Sequence, residues 1–373
     1  MNISRTCGFL QTLNFKLKIV KDANQIIFIL AISIFLYSCE YSSNYKNAHL
    51  FSNENIPLEK NLKGKVLDFD ELIMMPVELS IVDSVLLLLN IRTELFVHKF
   101  NINSFKKIGE SVPFGSGPGE MLDARKIQPI DSSIWLFDKM NRKIHQYEIF
   151  DFCFSDHPEV KNMMKYSRFL DDLSILPDNK YVATTIEPNT KRLIFFDMEG
   201  NQLFEKGEFP DDGTEKTDLE KTQGANCSMI VNILEKKICL AYKLTDLIEI
   251  YDMEGNLLKR VHGPDHFFAQ LRQRNLAEDA ITVTSSDGKT RSAYYFPVSY
   301  DNKIWVLYSG KYFGESDVAD HLLNTIIVFD WDGNPLCHYK LDVPIFAFTI
   351  DKQNNKIYGI TENPENQIIQ FDL

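Results

Sequence analysis

The sequence predicts an all-β protein, a six-bladed β-propeller with four-stranded blades whose ring is closed by a strand near the N-terminus. Two repeating units and their spacing carry this prediction. The first unit is a polar turn followed by an apolar run, and the second is a strand that ends in a hairpin. Repeats of about 45 residues are typical of propeller blades.

The turn-and-strand unit occurs six times along the chain. Its copies are marked by the acidic residue of each turn: Asp83, Asp131, Asp178, Glu235, Asp301 and Asp351. Successive copies lie 48, 47, 57, 66 and 50 residues apart, and no long helix-period segment interrupts the series. The polar turn suits a tight hairpin, and the apolar run after it suits a buried central strand.

The strand-and-hairpin unit follows each copy of the first unit. Three copies end in the pattern D-x-[ED]-G-N, at residues 197–201, 252–256 and 330–334. Glycine can adopt a positive φ, and the flanking Asp and Asn side chains can cap the turn. The pattern resembles half of a calcium-binding loop, but the remaining ligands and the closing Glu are missing, so it predicts hairpins.

The positions of the first and last repeats in the chain predict how the ring closes. The sequence stops directly after the third strand of the sixth blade, and the strand-like segment 65–72 has no blade of its own. We expect this segment to supply the missing outer strand, which leaves no exposed sheet edge. The predicted propeller domain is residues 63–373, and we expect a monomeric ring.

The N-terminus resembles a bacterial lipoprotein leader. Lys16, Lys18 and Lys21 precede an apolar run at 26–36, whose 11 residues match a signal sequence better than a membrane span. The run ends in Leu-Tyr-Ser-Cys39, which resembles a lipobox. We therefore expect residues 1–38 to be a signal peptide and Cys39 to be lipidated, which anchors the protein to a membrane on the periplasmic side or the outer surface. An uncleaved membrane anchor is the alternative. Residues 39–62 are mostly polar and predict a flexible tether.

The charge of the chain argues against nucleic acid as a partner. The formal net charge is −12, and the leader contributes +3, which leaves −15 on the remainder. An acidic protein without a basic stripe has little to attract a polyanion. Solubility alone is a sufficient reason for such a charge.

A glycine-rich loop gives the sequence its family resemblance. Residues Gly115, Gly117, Pro118, Gly119 and Glu120 form a G-x-G-P-G-E motif that lacks the helix and the Lys-Ser/Thr of a phosphate loop. Together with the lipobox and the six repeats, this motif resembles the TolB-like six-bladed β-propeller lipoproteins of Bacteroidetes. The resemblance implies a fold and a cell-envelope location, but no settled biochemical activity.

Propellers usually bind ligands at the channel mouth, so the candidate ligand-binding residues are those expected to line it. The first strand of each blade and the loop before it carry Glu120, Arg125, Lys126, Asp171, Asp172, Asn226, Tyr294 and Tyr295. Mixed charges and aromatic rings suit a sugar or peptide, although any one of these residues taken alone is better explained as an ordinary polar loop residue. Two long insertions, 262–291 and 309–321, are further recognition candidates, and the first predicts a short amphipathic helix at 266–276.

Two function classes remain open from the sequence. The first is a binding or scaffolding propeller that presents its loops to a protein, peptide or glycan, with no cofactor. The alternative is an enzyme, such as a calcium-dependent lactonase or a lyase, whose metal is held by Glu120, Asn226 and Asp171. No G-x-S-x-G or H-x-x-x-H motif favours catalysis.

Overall fold

The computed structural model describes residues 43–69, 73–277, 280–285, 288–315 and 318–373. The predicted signal peptide and Cys39 lie outside these residues. Within the described part of the chain, no helix has both the length and the apolar character needed to cross a membrane.

The described chain begins with three short strands, β1 (Ala48–Leu50), β2 (Leu58–Leu62) and β3 (Lys65–Val66). A single 3-10 turn, Asn53–Asn55, lies between β1 and β2. We call residues 43–66 the strap.

Six sheets of four main strands follow. Blade 1 contains β4 (Pro76–Val82), β5 (Val85–Asn90), β6 (Leu95–Asn101) and β7 (Lys107–Pro113). Blade 2 contains β8 (Ala124–Ile130), β9 (Ser133–Asp138), β10 (Lys143–Glu148) and β11 (Val160–Lys165), with helix α1 (Ile149–Phe154) before its last strand. Blade 3 contains β12 (Asp172–Leu176), β13 (Lys180–Thr184), β14 (Leu193–Asp197) and β15 (Gln202–Lys206), and helix α2 (Asp218–Gly224) follows it.

The second half of the ring carries the larger insertion. Blade 4 contains β16 (Cys227–Asn232), β17 (Lys237–Tyr242), β18 (Leu247–Asp252) and β19 (Leu257–His262). A two-stranded hairpin, β20 (Leu271–Ala277) and β21 (Ala280–Ser285), comes next. Blade 5 contains β22 (Tyr294–Tyr300), β23 (Lys303–Tyr308), β24 (Leu323–Phe329) and β25 (Pro335–Ile345). Blade 6 contains β26 (Ala347–Asp351), β27 (Lys356–Thr361) and β28 (Gln367–Asp372), which pairs with β3.

The protein is therefore a six-bladed β-propeller, as the repeats predict. Every turn-and-strand copy is the second strand of a blade, and these strands are almost wholly buried because each packs against both neighbouring blades. In β5, for example, Leu86, Leu87, Leu88 and Leu89 are all buried. The alternating residues of each second strand enter two different clusters of the core, one toward each neighbouring blade.

The D-x-[ED]-G-N segments form the predicted hairpins between third and fourth strands. Asp197 N donates to Asn201 O at 3.1 Å, and the Asp197 carboxylate accepts from the backbone of Asn201 at 2.8 Å. Gly200 has a φ of 88°, and a Cβ there would lie 1.8 Å from Lys165 O, so glycine is required on both grounds. These backbone and side-chain hydrogen bonds hold the pKa of Asp197 below its usual value.

The strap closes the ring but is not a free tether. Val66 and Lys65 pair antiparallel with Ile369 and Gln370, so the predicted closing strand is present, although β3 has only two residues. Upstream, β1 adds in parallel to β19 and β2 adds in parallel to β25. Polar composition predicted a flexible segment over 39–62, and this was wrong for the described part, because four of its apolar residues are deeply buried. These residues are Tyr45, Phe51, Ile56 and Leu62.

The long insertion after blade 4 forms a β-hairpin. The helix predicted at 266–276 is wrong, since Leu271 to Ala277 are extended and pair with β21. The apolar residues that suggested a helical period are used differently. Phe267 packs against the blade 4–5 core, and Phe268 against the blade 3–4 core. Hydrogen bonds from the backbone amides of Asp265, His266 and Phe267 to the buried Asp246 carboxylate fix this irregular segment.

The ring has two faces, which the strand order defines. The face that carries the connections between blades and the turns between second and third strands is called the loop face. The face that carries the tight turns between first and second strands is called the turn face. Both long insertions and the β20–β21 hairpin belong to the loop face.

Candidate functional site

A pocket of about 300 Å³ opens on the loop face between blades 4 and 5. We call it the loop-face pocket. It is lined by Gln223, Asn226, Lys243, Leu244, Leu271, Val283, Ser285, Thr290, Tyr295 and Phe313. These residues come from the end of α2, the β17–β18 loop, the hairpin, the start of β22 and the second insertion, so elements added to the basic ring supply much of the wall.

Specific contacts hold the hairpin over this pocket. Glu220 of α2 accepts from Gln273 N at 3.0 Å, and its carboxylate also caps α2 through Thr217. On the other side, the guanidinium of Arg291 lies over the rings of Phe267 and Tyr312, at 4.3 and 5.2 Å. Because these cation–π contacts join the end of the insertion to the second insertion, the pocket is built by the fold itself.

Two polar groups of the pocket have no partner among the described residues. The Oδ1 atom of Asn226 is buried and accepts no hydrogen bond from any of them. The Lys243 ammonium has no ion pair or hydrogen bond to any described residue, although its backbone is fixed by Asn226 O and Ala293 N at 2.9 and 2.8 Å. Buried polar atoms without partners are costly in a folded protein, so they are expected where a ligand or water completes them.

The central channel is a second cavity, of about 560 Å³. It is lined by the first strands of the blades, and its walls include Glu78 from β4, Lys126 from β8 and Ser174 from β12. The lining continues to the first turns of the blades at Asp131 and Asp301, on the turn face.

The charges of the channel are used to join blades. Lys126 Nζ donates to Asp172 Oδ1 of blade 3 at 2.7 Å and to Met229 O of blade 4 at 2.9 Å. Asp172 Oδ2 accepts from Met229 N at 2.7 Å, so one ion pair ties three blades. Because every charged atom of this pair has a protein partner, the pair has a structural role that needs no ligand.

Glu78 connects blades 1 and 2 in the same region. Its Oε1 accepts from Ile127 N at 3.2 Å. Burial raises the pKa of Glu78 to about 8, with a smaller contribution of the same sign from Asp172, and nearby Lys126 opposes the shift. The channel therefore contains a carboxyl group that holds its proton near neutral pH.

The structure brings together some of the predicted site residues. Asn226 and Tyr295 line the loop-face pocket, and burial raises the pKa of Tyr295. Lys126 and Asp172 form the channel ion pair, and only Lys126 of the two lines the cavity.

The other predicted residues have separate environments. Arg125 pairs with its neighbour Asp123 at 2.6 Å, and Asp171 pairs with Lys139 at 3.2 Å. Tyr294 was expected at the channel mouth but is fully buried, with its hydroxyl donating to the Gly263 carbonyl. It packs in the core between blades 4 and 5, where no ligand can reach it.

Glu120 folds back onto its own glycine-rich loop. Its Oε2 accepts from Gly117 N at 2.7 Å. A Cβ on Gly115 would lie 2.0 Å from the same oxygen, so the carboxylate fits only because glycine stands there. Met121 N donates to Pro113 O and Gly115 N to Met121 O, which closes the loop as a tight crossing between blades 1 and 2. The motif that carries the family resemblance is thus a structural turn.

Comparison with known protein families agrees with this ring. The family described as TolB-like 6-blade propeller-like matches residues 53–353. The chain belongs to the TolB-like six-bladed propellers. The match covers the ring from the strap to the first strand of blade 6, as the sequence resemblance implied.

Solved structures resemble this TolB-like propeller in fold. A member of the DUF4221 family from Bacteroides vulgatus ATCC 8482 is 12% identical, with a TM-score of 0.55 over 84% of this chain and 96% of that one. A protein of Bacteroides fragilis NCTC 9343, named as a candidate exported protein, is 11% identical, with a TM-score of 0.49 over 87% of this chain and 98% of that one. The comparison with curated proteins gives no match.

Several residues of this TolB-like propeller were missed by the sequence reasoning. Lys243 and Thr290 line the loop-face pocket, and Glu78 lines the channel. Lys243 follows directly after the buried second strand of blade 4, at the start of a loop-face turn, which was a usable signal. No sequence signal singles out Glu78, because its raised pKa depends on burial among three blades.

Proposed function

We propose that this TolB-like propeller is an extracytoplasmic binding protein that presents its loop face to a protein, peptide or glycan partner. The observation that carries the proposal is the loop-face pocket. It is walled by inserted elements, and its Lys243 ammonium and Asn226 Oδ1 have no partners within the described residues. A rigid ring with a pocket made of added loops is the usual arrangement of a recognition surface.

The extracytoplasmic location rests on the leader sequence. The basic residues, the 11-residue apolar run and Cys39 together favour export and lipidation. Mass spectrometry of the mature protein from its native membrane tests this part directly. An acylated N-terminal Cys39 is expected, and an unmodified chain that still begins at Met1 contradicts it.

The contacts of the strap indicate how a ring anchored at Cys39 would be oriented toward the membrane. Ser43 Oγ is bonded to His262 Nδ1 at 2.8 Å, and Tyr45 OH donates to Thr245 Oγ1 at 3.1 Å, both at the loop-face end of blade 4. Four residues of extended chain span at most about 14 Å. An anchor at Cys39 would therefore keep the loop face of blade 4 close to the membrane, whereas a free tether over residues 39–62 would not.

Exposed apolar side chains on the loop face are consistent with that orientation. They are Met74, Met75, Phe114, Met140, Ile281, Tyr312 and Phe313. To test the orientation, a fluorophore is attached to one introduced cysteine, either Lys289→Cys on the loop face or Leu234→Cys on the turn face. Both variants also carry Cys337→Ser. Nitroxide lipids in the vesicle should quench the first label more strongly, and equal or reversed quenching contradicts the orientation.

A matched pair of variants tests the proposed binding surface. Leu271 and Ser285 are paired across the hairpin, so residues 272–284 can be replaced by an Asn-Gly turn without separating the flanking strands. The control is Leu234→Ser on the turn face, where the side chain is 91% exposed. The tagged full-length protein is purified from native membranes with crosslinking. A stoichiometric partner should be recovered with the wild type and the control and lost with the hairpin variant. Equal recovery from all three contradicts the proposal.

The enzyme alternative finds less support in the arrangement of residues. It requires Glu120, Asn226 and Asp171 around one metal ion, but Glu120 bonds to its own loop and Asp171 pairs with Lys139. Neither acid lines the loop-face pocket that contains Asn226. Within the described ranges, no group of three His, Cys, Asp or Glu side chains is arranged to hold a metal ion. We therefore favour binding.

A further inference from the structure

The loop-face pocket has a charge that contrasts with the rest of the protein. The chain carries 52 acidic and 40 basic residues, yet none of the described residues that line the pocket is acidic. Lys243 is the one cation in this lining. Several other basic residues near the loop face are neutralised by a neighbouring carboxylate. Such pairs are Arg125–Asp123, Lys139–Asp171, Lys216–Asp212 and Arg291–Asp265.

An unpaired lysine in a half-enclosed pocket indicates an anionic ligand. Lys243 is half-buried as a residue, and its ammonium pairs with no carboxylate among the described residues. A charged group in that situation is stabilised by a ligand of opposite charge, and a charge-assisted hydrogen bond is about twice as strong as a neutral one. An acid on the same side of the ring, Asp171, is already paired with Lys139.

The remaining lining residues indicate what else the ligand carries. Gln223, Asn226, Ser285 and Thr290 place neutral hydrogen-bonding groups around the pocket, and Asn226 Oδ1 lacks a donor. An amide oxygen without a donor matches a ligand hydroxyl or amide N–H. Sulfate has no such group at neutral pH and inorganic phosphate offers only its P–OH, so a carboxylate on a body with several hydroxyls fits the pocket better than an inorganic anion.

The size of the loop-face pocket and its aromatic residues restrict the class of ligand further. A volume of about 300 Å³ is at the small end of the range for ligand sites and suits a single ring. Tyr295 and Phe313 supply aromatic surface, and Phe313 remains 36% exposed at the rim. An aromatic face packs well against the C–H face of a sugar, while hydroxyls at the edge of the sugar reach the polar groups.

We infer that the loop-face pocket binds an acidic sugar, with the carboxylate of a hexuronate on Lys243 and its hydroxyls on the amide and hydroxyl groups around Asn226. This inference rests on the proposed binding function of the loop face and names the ligand chemistry. A peptide C-terminus carries the same carboxylate, but it offers fewer hydroxyl groups to the neutral side chains, so the glycan is the better match.

The experiment compares matched probes on the full-length protein in detergent micelles. D-galacturonate and D-galactose differ in a single group, a carboxylate in place of a hydroxymethyl, and binding of each is followed by saturation-transfer NMR and titration calorimetry. We expect galacturonate to bind at least tenfold more tightly than galactose. Lys243→Met should remove this preference, and Lys243→Arg should retain most of it, since the charge is kept.

The peptide arm uses acetyl-Gly-Phe and its C-terminal amide as a second matched pair. Tight binding of the peptide acid without binding of galacturonate overturns the sugar assignment. Equal affinity for galactose and galacturonate overturns the role of Lys243. If no probe binds but the hairpin variant still loses its membrane partner, the proposed function stands and the sugar inference fails. If the partner is also retained, both fail.

Discussion

The central channel and the loop-face pocket use their polar residues in opposite ways. In the channel, Lys126 and Asp172 are fully bonded to each other and to the backbone of blade 4, and Glu78 bonds to blade 2. In the pocket, the Lys243 ammonium and Asn226 Oδ1 have no partner in the described chain. The larger cavity therefore contains the polar groups that hold the ring together, and the smaller one contains the groups that are left for a ligand.

This contrast explains why cavity size alone is a poor guide to function here. The channel exceeds the pocket in volume, about 560 against 300 Å³. Yet removing a channel charge should weaken the ring, whereas removing a pocket charge should weaken only binding. The two lysines, Lys126 and Lys243, make this difference measurable with the same substitution.

The largest effect is expected for Lys126→Met. The variant leaves Asp172 without its counter-charge and removes the hydrogen bond to Met229 O. The pair is half-buried, so removing one partner should cost about 2 kcal/mol, between the values for exposed and for fully buried pairs. Urea denaturation should therefore show a loss of about that size in the free energy of unfolding. An unchanged midpoint means that the ion pair does not hold the blades.

Glu78→Gln should change how stability depends on pH. Because burial raises the pKa of Glu78 to about 8, the folded state binds more protons than the unfolded state from about pH 4.5 to pH 8. The free energy of unfolding contributed by this group therefore falls as pH rises through that window. Gln keeps the acceptor for Ile127 N and has no proton to lose. The variant should gain about 4 kcal/mol relative to the wild type between pH 5 and pH 8.5. Parallel stability curves for the two proteins contradict this.

The smallest effect on stability is expected for Lys243→Met. No described group loses a partner, and methionine has a similar length, so the free energy of unfolding should change by about 0.5 kcal/mol or less. Urea denaturation alongside Lys126→Met gives the direct comparison. A loss as large as that of Lys126→Met shows that Lys243 is structural, and the contrast between channel and pocket then fails.

The ring could be predicted from the sequence because its signals are local. Each blade repeats a polar turn and an apolar strand, and the hydrogen bonds of Asp197 and Asn201 are made within five residues. The strap could not be predicted in this way, because the burial of Tyr45 depends on Thr245 and His262, which lie some 200 residues away in the sequence. The hairpin at 271–285 was missed for a similar reason, since a contact with α2, some 50 residues earlier in the chain, holds it in place.

The candidate site was predicted in part. Choosing polar residues near the start of each first strand found Asn226 and Tyr295, which line one pocket. The same rule also selected Tyr294, because adjacent strand residues point to opposite faces and the sequence does not say which face is the core. Lys243 was missed, since the absence of a partner is a property of the folded surroundings and not of the local sequence.

The most direct test of the account is a site-specific photocrosslink in the native membrane. A benzophenone amino acid replaces Phe313 at the rim of the loop-face pocket, or Leu234 on the turn face, where the side chains are 36% and 91% exposed. The account predicts a discrete adduct from position 313 and none from position 234, and Lys243→Met should reduce the yield of that adduct. An adduct from position 234 alone, or none from position 313, would contradict the assignment of the loop face as the binding surface.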